Sequence, residues 1–184
     1  MGGLATRRWI SPPRSESDVS HALNTALRYL AQRPRSEYEV RQRLRRAGTD
    51  AAVVETVLAQ LRRYRLVDDQ AFAERWVEQR QALRPRGARL LRAELVQHGI
   101  ARAGAEAATS QLGDSAREDA YRAAARRAAQ LRDLDGKTFT SRLSQWLARR
   151  GFDWDTIASV VARLSRERAA SVNTSSDSAR APTE

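Results

Sequence analysis

Apolar residues return along most of this chain at the three- and four-residue spacing of a buried helix face, and no stretch alternates long enough to compete as a strand. Ala22, Ala26, Leu27 and Leu30 predict a first helix, Val40, Leu44 and Ala47 a second, and Val53, Val54, Val57, Leu58 and Leu61 a third. Pro34 ends the first helix or opens the next turn. Ser36 followed by Glu39 predicts a capping box at the start of the second, and Gly48 suits the left-handed position that stops it. The same order then returns. Asp68 is the expected N-cap of a helix through Phe72, Trp76 and Val77; Ala88, Leu91 and Leu95 form the next, stopped at Gly99; Ile100 leads into a short alanine-rich helix reaching Leu112. A third round opens with a capping box expected at Ser115 and Glu118, runs through Tyr121, Ala125, Ala128 and Leu131, then Phe139, Leu143, Trp146 and Leu147 to Gly151, and ends with Phe152, Ile157, Val160, Val161 and Leu164.

The repetition is literal in places. Arg33-Pro34-Arg35-Ser36 returns as Arg84-Pro85-Arg86-Gly87, each before a helix stopped by glycine, while Leu44, Leu95 and Leu147 share one register and Val40, Leu91 and Leu143 another. In the third copy Lys137 replaces the proline, as expected of a terminal unit that caps a stack. The expected fold is all-α: three tandem three-helix repeats at 18–66, 67–113 and 114–165, stacked into an elongated, curved body. Residues 1–17 and the polar stretch 166–184 lack helical periodicity and are expected to be disordered.

Charge adds a second layer. The net charge is +11, and Lys137 is the sole lysine among 33 basic residues. The excess is local: residues 28–65 hold ten arginines against Glu37, Glu39, Asp50 and Glu55, and residues 75–102 hold seven against Glu78 and Glu94. The third repeat is more mixed, with Asp133, Asp135, Asp153 and Asp155. Positive charge therefore follows the repeats, as a footprint for a polyanion or an acidic partner would. Arg33, Arg35, Arg84 and Arg86 flank the two prolines, and Arg41, Arg45, Arg89 and Arg92 run along the flank of the second helix of the first two repeats, as Arg142, Arg149 and Arg150 do in the third. The eight arginines named in the first two repeats are the candidate binding ribbon for DNA or a protein partner.

Candidate chemistry is otherwise sparse. There is no cysteine, so no disulfide, thiolate metal site or cysteine nucleophile exists, which fits the cytoplasm. His21 and His98 are far apart, and His98 precedes a helix-stopping glycine, where it complements the helix dipole. Asp68 and Asp69 fall at a helix start, where carboxylates cap free amides. No catalytic group, metal site or cofactor is expected, nor a membrane span. Phe72, Trp76, Phe139, Trp146 and Phe152 fall on apolar faces; Tyr38 and Tyr64 sit among arginines, and Trp9 is a possible anchor in the N-terminal segment.

Residues Arg28 to Leu44, Tyr64 to Val77 and Gly87 to Ile100 resemble the RecX family of bacterial recombination regulators, over about residues 20–165. The most specific element is Leu66-Val67-Asp68-Asp69 followed by Phe72 and Ala73, with Gly99-Ile100 downstream. The resemblance implies tandem three-helix units and a non-enzymatic role. That role is to bind the RecA recombinase filament on single-stranded DNA and modulate, usually downward, its strand exchange, ATPase and co-protease activities. It also implies contact with single- or double-stranded DNA, in DNA repair and recombination; a monomer is expected. From the residues alone, a helix-turn-helix-like DNA-binding module or transcription regulator is the alternative, since short arginine-bearing helices suit a major groove.

Overall fold

Gly48, Gly99 and Gly151 all turn the backbone left-handed, with φ of 75°, 83° and 85°. Each closes its helix in the same way. The amide of the residue after the glycine reaches back to the carbonyl of Leu44, Leu95 or Leu147, and the glycine amide to that of Arg45, Val96 or Ala148. The computed structural model describes residues 16–178. Among the described residues the elements are α1 (Glu16–Leu30), α2 (Glu37–Arg46), α3 (Ala51–Arg63), α4 (Asp69–Leu83), α5 (Ala88–Gln97), α6 (Arg102–Thr109), α7 (Leu112–Gln130), α8 (Gly136–Arg149) and α9 (Trp154–Ser178). No strand occurs among them. The all-α expectation holds, with three tandem three-helix repeats.

The chain divides into two compact units between Phe72 and Ala73, within α4. In the first, Ala22 and Ala26 of α1 let α2 and α3 approach closely, and Val40, Leu44, Val54, Val57, Leu58 and Leu61 fill the space between them. Each such side chain contributes about 1.5–3 kcal/mol when fully buried. The capping box is present: Ser36 Oγ accepts from Glu39 N at 3.2 Å while Glu39 Oε2 accepts from Ser36 N at 3.2 Å. Asp68 caps α4, accepting from Ala71 N at 3.0 Å. Its neighbour Asp69 turns elsewhere and accepts from Glu37 N at 2.8 Å, closing the first turn of α2. A fourth helix stop has no glycine. Arg65 takes a φ of 53° after α3, and Leu66 N and Arg65 N bond to Leu61 and Arg62 carbonyls.

In the second unit, a core of Ala120, Ala124, Phe139, Leu143, Leu147 and Ile157 is shared by α7, α8 and α9. Leu91, Leu95, Ile100 and Ala105 are buried on α5, the following turn and α6. Helix α8 is 14 residues long where α2 and α5 are 10. The register explains it. Lys137 stands where the earlier copies have proline, so the helix starts earlier, capped by Asp135, which accepts from Thr138 N at 2.9 Å. Bonding from the Thr138 hydroxyl, and then from the Thr138 amide, lowers the Asp135 carboxyl from its ordinary value, as bonding from the Thr156 amide and hydroxyl does for Asp153.

Three expectations are corrected. Ser115 is not an N-cap: α7 already begins at Leu112, and Ser115 Oγ, inside the helix, donates to Asp119 at 2.7 Å. Residues 166–178 are not disordered but continue α9. Arg168 holds that end, donating Nε to the Arg132 carbonyl at 2.9 Å and Nη2 to the Leu134 carbonyl while its guanidinium covers the Phe139 ring. Residues 16 and 17, assigned to the disordered lead, begin α1; the rest of that lead, with Trp9, lies outside the described residues, as do 179–184.

Candidate functional site

Each copy of the Arg-Pro-Arg segment enters a helix, so its arginines are positioned by that helix's first turn. In the first unit both arginines of the segment are tied down. Glu39 takes Arg33 at 2.7 Å and Arg35 at 3.7 Å. The Arg35 guanidinium also lies 3.9 Å over the Tyr29 ring, leaving the side chain 11% exposed. Arg41 bridges Glu37, at 2.8 Å, to Glu55 on α3, and Arg62 joins Glu37 at 2.9 Å. Arg45 is exposed and makes no ion pair among the described residues. Of the ten arginines between 28 and 65, Arg33, Arg35, Arg41 and Arg62 pair with an acid among the described residues. Tyr38 and Tyr64 are exposed among them. Asp69, half-buried beside Glu37 and Asp68, has its carboxyl pushed up, chiefly by burial and then by those two carboxylates, against the lowering effect of the Glu37 amide.

In the second unit the segment is held by Gln81, which donates to the Arg86 carbonyl at 2.9 Å and accepts from Arg86 N at 3.2 Å. Glu94 is a hub: it pairs with Arg86, lies 3.6 Å from Arg80, and accepts from Trp76 Nε1 at 3.0 Å. His98, at the end of α5, packs its ring 4.2 Å from Trp76, a structural role. Arg89 donates to the Ala148 carbonyl at 2.7 Å at the end of α8. Arg84 and Arg92 are exposed, with no ion pair among the described residues. The eight arginines therefore separate by environment. Arg33, Arg35, Arg41, Arg86 and Arg89 hold structure, while Arg45, Arg84 and Arg92 present their charge to solvent.

One grouping escaped the sequence reading. A cleft of about 450 Å³ in the second unit is lined by Arg84, Arg122, Arg126, Arg127 and Arg150, with Trp146 beside them. The signal available was Arg122 and Arg126 four apart on α7, which share a face, but nothing local ties them to Arg84 or Arg150. Such a grouping suits oxyanion recognition. No group of acids and histidines among the described residues is arranged to hold a metal. No described helix is long and apolar enough to cross a membrane.

Family profiles for the first, second and third three-helix domains of RecX match residues 22–61, 68–108 and 116–161. The chain belongs to the RecX family. A "Regulatory protein RecX" from Chlorobium limicola is 34% identical over 150 residues, 82% of this chain and 93% of that protein. The Geobacillus kaustophilus protein of the same name is 36% identical over 146 residues, but there the RecX-family chain spans 54% of its relative's length. The crystal structure of RecX from Lactobacillus salivarius has the same fold, with a TM-score of 0.75 at 24% identity, covering 80% of this chain and 97% of that one. The RecX relatives carry the name of regulatory proteins.

Proposed function

We propose that this chain binds the RecA recombinase filament on single-stranded DNA and lowers its recombinase, ATPase and co-protease activities during homologous recombination and DNA repair. The tandem match to all three RecX domains carries the reading. The mechanism is occupancy rather than catalysis: the protein sits on the filament and caps its growth or promotes its disassembly. Arg45, Arg84 and Arg92 make the contacts. Arg33, Arg35, Arg41, Arg86 and Arg89 form the scaffold that aims them, and exposed guanidinium groups suit either acidic side chains or a DNA backbone, single- or double-stranded. The protein acts as a monomer in the cytoplasm, without a cofactor.

Titrating the protein into RecA assembled on single-stranded DNA and following ATP hydrolysis tests this. The expected result is a falling rate at amounts well below RecA. An unchanged rate at every ratio overturns the proposal.

A further inference from the structure

The cleft of the second unit holds an arrangement that folding alone does not explain. Its two walls differ in origin. Arg84 stands on the turn after α4, Arg122, Arg126 and Arg127 project from α7, and Arg150 ends α8. No acidic residue lines the cleft. Arg122 alone has an acidic partner, Asp119 at 2.6 Å on the same helix. Among the described residues Arg126 has no ion pair, and Arg127 donates to Gln130 at 3.0 Å while its Nε is buried without a hydrogen bond. Like charges gathered in a partly enclosed space repel, and the cost rises as solvent is excluded. Arg150 feels it: burial first, then Arg86 and Arg84, lower the affinity of its guanidinium for the proton. An anion with several charges would relieve the repulsion and satisfy the spare donors.

We propose that this cleft binds two or more adjacent phosphate groups, supplied either by a nucleoside polyphosphate or by a nucleic-acid strand. Arginine forks match phosphate oxygens in pairs, which a single carboxylate exploits less fully. The volume, about 450 Å³, is that of a small-ligand cleft and not of a groove for a duplex. The base is not read. The Trp146 ring is taken by the Arg150 guanidinium at 4.7 Å, and no other aromatic residue lines the site to stack on a base. This assignment does not depend on RecA, because it concerns the protein alone.

Calorimetric titration of the full chain with inorganic tripolyphosphate, ATP, AMP and a short oligothymidylate tests it. Tripolyphosphate and ATP are expected to bind one to one with similar affinity, and AMP roughly tenfold more weakly or worse. R126Q/R127Q should weaken both polyphosphates by about tenfold or more, and R84Q, at an exposed residue, by a few-fold, while R102Q, exposed on α6 and outside the cleft, changes nothing. Oligothymidylate that displaces ATP and binds more tightly identifies the strand as the source; oligothymidylate that fails to compete identifies the free polyphosphate. The proposal is overturned if none of these anions binds, if both R126Q/R127Q and R84Q bind polyphosphate like the parent, or if hexaglutamate binds more tightly than tripolyphosphate. The last result would mark a seat for an acidic protein segment.

Discussion

Arg33 to Ser36 and Arg84 to Gly87 differ at the fourth position in kind, and that position decides what each segment attaches to. Ser36 is fully buried and uses its hydroxyl to cap its own helix, so the first segment closes on itself through Glu39 and both arginines. Gly87 offers no side-chain cap. Its amide instead donates to the Arg150 carbonyl at 2.9 Å, and a Cβ there would stand 2.1 Å from the Gly151 carbonyl oxygen. Gly151 is equally confined, since a Cβ on it would meet Leu90 at 2.5 Å. One residue type caps its own helix start; the other gives up that cap so that the α5 start and the α8 end can touch backbone to backbone. The difference also governs charge. The first copy neutralises its arginines on Glu39, whereas the second leaves Arg84 at an open cleft.

Exchanging the fourth residues breaks the comparison most severely in one direction. Gly87→Ser puts a side chain into the Gly151 backbone and is expected to cost about 3 kcal/mol or more, read as a lowered urea midpoint with the second unit losing its cooperative transition. Ser36→Ala, which removes the first copy's cap, is expected to cost about 1–2 kcal/mol by the same measurement. Asp69 sharpens the contrast, because it supplies from a distance what Gly87 obtains from its neighbour's carbonyl, an anchor for a helix start. Asp69→Ala should cost about 1 kcal/mol, and Asp69→Asn, which keeps the acceptor, much less. The sign with pH follows from the raised carboxyl. The protonated form is favoured in the fold, so Asp69 stabilises most below 3.8, and that contribution is lost as pH rises through its higher native pKa. Denaturation of the parent and Asp69→Asn from pH 3 to 7 should therefore show the difference moving in favour of asparagine as pH rises.

Much of this organisation was legible before any coordinates. Glycines at 48, 99 and 151 and the apolar registers of Leu44, Leu95 and Leu147 report local geometry, and local geometry is what periodicity encodes. Signals failed where the same letters serve two ends. Ser115 and Glu118 have the spacing of a capping box, yet that spacing also occurs one turn apart inside a continuing helix, where Ser115 bonds to Asp119. Arg65 was illegible because its left-handed turn has no glycine to announce it. The cleft was hidden for another reason. Arg84 and Arg150 are distant in the chain, and the close approach of the α5 start to the α8 end brings their surroundings together.

The arginine that secures the last helix changes how the chain's end should be understood. Arg168 closes two carbonyls in the turn that follows α7 and shields the Phe139 ring, and Glu167 accepts from the Tyr121 hydroxyl at 3.1 Å. A protein cut after Ser165 would thus shed more than a polar tail. It would uncover an aromatic residue of the third repeat's core and leave the α7 terminus fraying, so that protease sensitivity would spread inward from the new end.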